Sequence, residues 1–226
     1  MSLSTSPFFW LDSGGSLYLT KGVGTTIQGP LSEKSPWRIT YQRQNALDTD
    51  DGYRPQNILR LVTKGKWRNA REEAYFIINA DNLTVSPNRN SSNGLFFFNR
   101  YQDSNNLYYA GIRVDGAAVI KKKQKGIYYN IAYIPGIYSG IYNPVTYPNL
   151  LPKNKWIGLR SEVTDLSDGS VFIQLFIDKG WSGSWKLVAE GIDRGADGPP
   201  IIAAGHGGIR TDFMDVTFEN FRITTL

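Results

Sequence analysis

The sequence predicts an all-β fold, a two-sheet antiparallel β-sandwich, and three observations carry that expectation. Helical periodicity is nearly absent from the 226 residues. Short apolar or alternating runs are instead cut by Gly, Asn, Asp and Pro at regular intervals, and several of those runs are joined by two-residue turn signals. The composition agrees, since 13 Tyr, 11 Phe and 6 Trp favour strands while 23 Gly favour turns.

Taken in order, the readable strands are "PWRITYQ", "NILRLVT", "EEAYFIINA", "GLFFFNRY", "NLYYAGIRV", "AAVIKKK", "IYYNIAYI", "KWIGLRSEVT", "SVFIQLFID", "WKLVAEGI", "GGIRTD" and "MDVTFENFRI". "GKWRNAREEAYF" could form a helical turn or two, but it runs directly into a strand-like stretch. Asp115-Gly116 and Asp168-Gly169 read as tight hairpins, and Gln124-Lys125-Gly126 closes another with Gly as the left-handed residue. Residues 95–134 therefore read as a four-stranded meander. No internal repeat, low-complexity tail or long linker divides the chain, so residues 1–226 are expected to form a single sandwich domain.

Composition also excludes several classes. Hydrophobic residues at 41% and charged residues at 20% place the chain among globular proteins rather than disordered ones. With no Cys there is no disulfide, thiolate nucleophile or Cys-based metal site. The excess of 25 basic over 20 acidic residues is mild, and it suits an anionic partner such as an acidic polysaccharide. No apolar run approaches the roughly 20 residues needed to span a bilayer, so no membrane insertion is expected. The first 19 residues lack a basic segment followed by an apolar one; the chain is read as cytosolic or as missing a removed leader. Asn82-Leu-Thr and Asn90-Ser-Ser match the N-glycosylation acceptor pattern.

The run Lys121-Lys122-Lys123 poses the sharpest question. Alternation puts Val119, Lys121 and Lys123 on one face and Ile120, Lys122 and Gln124 on the other. Both faces thus turn polar towards a hairpin tip, where lysines protect against edge-to-edge pairing and could contact an anion. After the turn, Ile127, Tyr129, Ile131 and Tyr133 are expected on one face. The short basic run has no stripe of interleaved aromatics, so nucleic acid is not expected as a partner.

"GLFFFNRYQDSNNLYYAGIRVDGAAVIKKKQKG", "KNKWIGLRSEVTDLSDGSVFIQLFIDKG" and "GGIRTDFMDVTFENFRI" together resemble the concanavalin A-like lectin/glucanase superfamily, in its laminin-G-like branch. The resemblance covers roughly residues 55–226. It implies a jelly roll of two stacked antiparallel sheets, one concave, with sugar sites on the concave face or its rim. The superfamily hosts lectins, adhesion modules, glycosidases and lyases, so activity must be argued from the residues.

The catalytic readings mostly fail. The Glu-x-Asp-x-x-Glu spacing that would flank a glycosidic bond in retaining glycosidases of this superfamily is absent; "SEVTDLSD" and "DVTFEN" each lack a member. "RSEV" at Arg160–Val163 resembles a segment of jelly-roll alginate lyases, and "YYAG" at Tyr108–Gly111 distantly resembles another. Their order is reversed, no Gln-Ile-His occurs, and Arg113 replaces a lysine, so that family's assignments do not transfer. A lyase of another pattern would use Tyr109, Tyr129, Arg113, Lys121 and Arg160, provided they meet in a groove. His206, the sole histidine, is flanked by glycines and reads as a loop residue, and Gly22-Val-Gly24 reads as a turn. Asp12, Asp212, Asp215 and Glu219 are the candidates for a structural calcium; no other cofactor is expected.

Between "IAYI" and "KWIGLR" lies "PGIYSGIYNPVTYPNLLPKN", whose prolines forbid a helix or a long central strand. Tyr138, Tyr142 and Tyr147 recur through it, and Trp181 and Trp185 sit in a later turn. Together with Arg113, Lys121 and Lys123 they form the candidate ligand-binding set, because aromatic faces stack on pyranose rings. The expected function is a non-catalytic carbohydrate (polysaccharide) binding module, surface or adhesion related and extracellular or at the cell surface. The alternatives are a polysaccharide lyase acting on a uronate polymer and a structural assembly subunit.

Overall fold

The computed structural model describes residues 6–226. Its strands are β1 (Phe9–Ser13), β2 (Leu17–Thr20), β3 (Val23–Thr26), β4 (Ile58–Thr63), β5 (Ala70–Asp81), β6 (Gly94–Asp103), β7 (Asn106–Arg113), β8 (Ala118–Gln124), β9 (Ile127–Ile134), β10 (Ile157–Asp165), β11 (Val171–Lys179), β12 (Lys186–Asp193), β13 (His206–Asp212) and β14 (Met214–Thr225). They form two seven-stranded antiparallel sheets, ordered β1-β4-β13-β6-β7-β8-β9 and β12-β11-β10-β5-β14-β3-β2. The all-β sandwich is therefore as expected, and β6 to β9 are the meander, each strand paired with the next.

Alternation explains the layering. Leu95, Phe97, Tyr108, Ala110, Ile112, Ala118 and Ile120 point from the first sheet into the shared core, where they meet Ala74, Phe76, Ile157, Leu159, Ile173, Leu175, Val216 and Phe218 of the second. The other face of the first sheet is also apolar at its centre: Val62, Phe96, Phe98, Leu107, Tyr109 and Val119 form a second buried cluster, with Trp10 packed against it. Burial on both faces is why "GLFFFNRY" and "NLYYAGI" read as continuous apolar runs rather than alternating ones.

Three expectations are corrected. "PWRITYQ" is not a strand but lies in the helix α1 (Pro36–Gln44). Pro36 sits in its first turn, where the missing N–H costs nothing. Trp37 and Tyr41, four apart, share a face at 6.4 Å, and the Tyr41 hydroxyl accepts from the Gly14 and Gly15 amides at 2.8 and 3.1 Å. This nine-residue helix is too short to cross a membrane. Lys122 is not at a solvated tip: its side chain is 1% exposed. Its Nζ donates to Asp193 Oδ1 at 3.0 Å and to the Gly198 carbonyl at 2.8 Å, while the Tyr108 hydroxyl donates to Asp193 Oδ2 at 2.7 Å. Burial and the adjacent carboxylate push the Tyr108 hydroxyl far above its ordinary range. Third, the register of β9 on β8 shifts between Ile120 and Lys121, so Tyr133 faces outward opposite Val119 while Tyr129 lies inward opposite Lys122. The expected stripe of Ile127, Tyr129, Ile131 and Tyr133 is split by this bulge.

A second buried polar group lies between the sheets. Glu72 is 2% exposed, accepts from Asn99 Nδ2 at 3.1 Å and the Gly208 amide at 3.2 Å, and has no cationic partner among the described residues. Burial raises its carboxyl well above the ordinary value of 4.5 against those two hydrogen bonds. Asn82 is buried at 1%, donates to Asp215 and accepts from Arg54, so the fold leaves no room for a glycan on the first glycosylation motif.

Two outcomes follow for stability. Removing one member of the buried pair, as in Lys122→Met, should cost about 3–5 kcal/mol in urea unfolding, and adding Asp193→Asn should recover part of it by removing the stranded charge. Glu72 binds its proton more tightly folded than unfolded, so stability should fall as pH rises through the interval above the ordinary Glu value. Glu72→Gln should flatten the slope of unfolding midpoint against pH above the ordinary Glu value of 4.5.

Candidate functional site: a cationic groove on the outer face of the first sheet

The outward side chains of the first sheet line a groove of about 440 Å³. Register builds its floor. Arg60, Arg210, Phe96 and Gly111 stand side by side across β4, β13, β6 and β7, next to Gly208, Phe98, Tyr109 and Lys121 in the adjoining row. Gly111 is required, because a Cβ there would lie 2.1 Å from the Leu95 carbonyl oxygen. The walls come from chain outside the sheet: Asp48 follows α1, and Asn88, Asn90, Ser92 and Asn93 belong to the loop between β5 and β6.

The floor is electrostatically built. Arg210 donates to Asp212 Oδ1 at 2.8 Å and lies over the Tyr109 and Phe96 rings, 5.3 and 5.8 Å from their centroids. Asp212 is buried, and its Oδ2 has no hydrogen-bond partner in the protein. Tyr128, set opposite Lys123 by the β8–β9 hairpin and so on the same outward face, has its ring 5.9 Å from Lys121 Nζ and 4.9 Å from Lys123 Nζ. Burial raises the Tyr128 hydroxyl, but Arg210, the Tyr109 hydroxyl and Lys123 outweigh burial and hold it below its ordinary value of 10.0. Tyr109 moves the opposite way, raised chiefly by burial. Burial lowers Lys121, and the nearby Arg113 and Arg210 add to the effect. At the far wall, burial opposes ionisation of Asp48, yet hydrogen bonds from Ser86 (2.6 Å), Asn88 (3.0 Å) and Asn45 (3.1 Å) keep its carboxyl below the usual value.

The sequence candidates are only partly gathered here. Tyr109 and Lys121 line the groove, and Lys123 and Arg113 adjoin it, Arg113 held by Asp115 and stacked on Tyr133 at 5.2 Å. Tyr129 lies on the inner side of β9. Arg160 belongs to the other sheet, where Glu73 pairs with it at 2.8 Å and Trp185 covers it at 4.2 Å. The five residues named for a lyase thus do not meet. Trp181 stacks on Tyr75 at 4.3 Å, and Trp156 meets it edge-on at 4.4 Å, on the outer surface opposite the groove. In the tyrosine loop, Tyr138 and Tyr142 pack against the core, whereas Tyr147 is 65% exposed beside exposed Ile141 and Val145.

The calcium candidates are dispersed. Asp12 faces Arg60 at 3.7 Å, and Asp212 is held by Arg210. Asp215 accepts from Gln56, Asn82 and the Gly29 amide, which turns both oxygens towards donors. Glu219 pairs with Val23 and Tyr75 along the sheet. Among the described residues no cluster of three metal-ligating side chains forms. His206 opens β13 rather than lying in a loop, with its Nδ1 3.0 Å from the Gly65 carbonyl and its ring edge-on to Trp10 at 4.9 Å.

No family model matches this sequence, and no curated protein matches it. Solved structures do share its architecture. The carbohydrate binding module CBM66 from Bacillus subtilis aligns at TM-score 0.57 and 13% identity, over 98% of this chain and 99% of that one. The fold is a lectin-like jelly roll. A protein of unknown function with a galectin-like fold from Bacillus subtilis aligns at TM-score 0.53 and 10% identity, covering 96% and 89% of the two chains. The VIP36 exoplasmic/lumenal domain in its Ca2+/Man-bound form aligns at 0.50 and 8% identity, covering 98% and 84%. Identities this low establish the shared jelly roll and leave the ligand to the groove itself.

Arg60, Arg210, Phe96, Tyr128, Asp48 and the Asn88–Asn93 loop were not among the sequence candidates. Arg210 and Asp212 had a legible signal, two opposite charges two apart on one strand. Tyr128 had one too, because the Lys125-Gly126 turn pairs it with Lys123 and so sets it on the face of Lys121 and Lys123. In an NMR titration of ring-labelled tyrosine, one tyrosine, Tyr128, should ionise below the ordinary value of 10.0, and Arg210→Gln should move that transition upward.

Proposed function

We propose that this jelly roll is a single-domain carbohydrate-binding module of the laminin-G-like kind, acting outside the cell or at its surface, and that it holds a glycan in the groove without turning it over. One observation carries the reading. The groove sets aromatic rings, Tyr128, Tyr109 and Phe96, beside fixed donors and acceptors, Arg60, Arg210, Asp48, Asn88 and Asn90, around a volume suited to one or two sugar rings. A pyranose presents an apolar face and a ring of hydroxyls, and this arrangement offers partners for both. Jelly-roll neighbours that include a carbohydrate binding module support the reading.

A second reading, β-elimination of a uronate polymer, has one observation in its favour: the Tyr128 hydroxyl is acidified beside Lys121 and Arg210.

A glycan array should show binding that weakens about tenfold with Tyr128→Ala or Arg60→Ala while the thermal melt is retained. The same weakening from Trp185→Ala alone would move the site to the outer surface of the second sheet. Ultraviolet absorbance from unsaturated products during incubation with uronate polymers would replace binding by turnover.

A further inference from the structure

Three cations line the groove, and two of them have acidic partners. Arg210 is fixed by Asp212 at 2.8 Å, and Arg60 faces Asp12 at 3.7 Å. Lys121 forms no salt bridge among the described residues: it is half-buried, Arg113, Arg210 and Tyr128 are its neighbours, and the one carboxylate that acts on it, Asp115, is already held by Arg113 at 2.6 Å. Lys123, the next outward residue on β8, likewise forms no salt bridge among them, and the two ammonium groups flank the Tyr128 ring. By contrast, Lys122, between them, is buried against Asp193. A partly desolvated, unpaired ammonium among other cations is a poor element of a resting structure, and a bound anion would relieve it.

The lining of the groove is mixed in charge. Lys121 and Lys123 are cations without salt bridges among the described residues, while the wall outside the sheet carries one carboxylate, Asp48, which already accepts from Ser86, Asn88 and Asn45, together with the amides of Asn88, Asn90 and Asn93. A phosphodiester chain repeats its negative charge along its length and would bring it against Asp48 as well as the lysines. An acidic sugar places its charge on one substituent and leaves hydroxyls for the amides of Asn88, Asn90 and Asn93.

We infer that the groove selects an acidic glycan, and that Lys121, backed by Lys123 across the Tyr128 ring, reads its carboxylate or sulfate. This inference rests on the glycan reading of the same groove and adds the charge class of the ligand.

The test measures binding of the full chain to polygalacturonate and chondroitin sulfate, with dextran and xylan as neutral probes and a single-stranded oligonucleotide as the competing polyanion. The acidic glycans should bind more tightly than the neutral ones, and binding should weaken as salt is raised. Lys121→Met should weaken acidic-glycan binding about tenfold or more, whereas Lys121→Arg should keep it within about threefold. Lys155→Met, an equal change in net charge at an exposed site outside the groove, should leave binding unchanged. Equal loss from Lys155→Met and Lys121→Met would reduce the effect to net charge and overturn the inference. Neutral-glycan binding unaffected by Lys121→Met, with weak binding of acidic glycans, would overturn it while leaving the carbohydrate reading intact. Binding of no glycan at all would overturn both, and preference for the oligonucleotide would overturn the inference in favour of nucleic acid.

Discussion

One buried ion pair sets the register on which the groove depends. Lys122 Nζ reaches Asp193 and the Gly198 carbonyl inside the sandwich, and Tyr108 shares the same carboxylate. Side chains alternate along β8, so seating Lys122 inward commits Lys121 and Lys123 to the outer face. A slip of one residue would drive both into the core and leave Asp193 without its cation. Desolvating a lysine is costly in general, and here the cost is offset by two charge-assisted bonds and a fully satisfied acceptor. The ion pair also ties β8 to the end of β12 and to the following loop, joining strands that belong to different sheets.

The outer face inherits its character from what surrounds it. A sheet buried on one side alternates apolar with polar residues, but here Phe96, Phe98, Leu107 and Val119 are apolar outward as well. Charged groups on such a face need support, and Arg210 has it from Asp212 below and two rings beside. Its fixed positive charge then acts on everything within reach: it favours the ionised form of Tyr128 and disfavours that of Lys121. The second sheet presents a different surface. Its rings, Trp181 on Tyr75 and Trp185 on Arg160, are closed on one another, with Tyr75 donating to Asp178 at 3.0 Å.

Most of the fold was legible because strand alternation and turn chemistry are local. Gly126 and Gly169 take positive φ in their hairpins, as their sequences implied, and the β6–β9 meander follows. The helix at Pro36–Gln44 escaped because Trp37, Ile39 and Tyr41 also alternate, and only the distant contact of Tyr41 with Gly14 and Gly15 decides between the two periods. The site was legible in part. Tyr109 and Lys121 lay on strands whose faces could be assigned, whereas the walls at Asp48 and Asn88–Asn93 come from loops that no periodicity places.

The amino-acid order by itself determined the all-β class, most of the strands and the outward pairing of Lys121 with Lys123, because each of these is set by neighbours within a few residues. Tertiary structure alone decided that Lys122 is an interior ion-pair partner, that Tyr133 turns away from the face of Ile127, Tyr129 and Ile131, and that Arg60, Arg210 and Lys121 share one groove. These depend on a bulge, on a carboxylate 71 residues away, and on strand order in the sheet. Burial and proximity across the sheet are non-local quantities, and a single strand's pattern does not encode them.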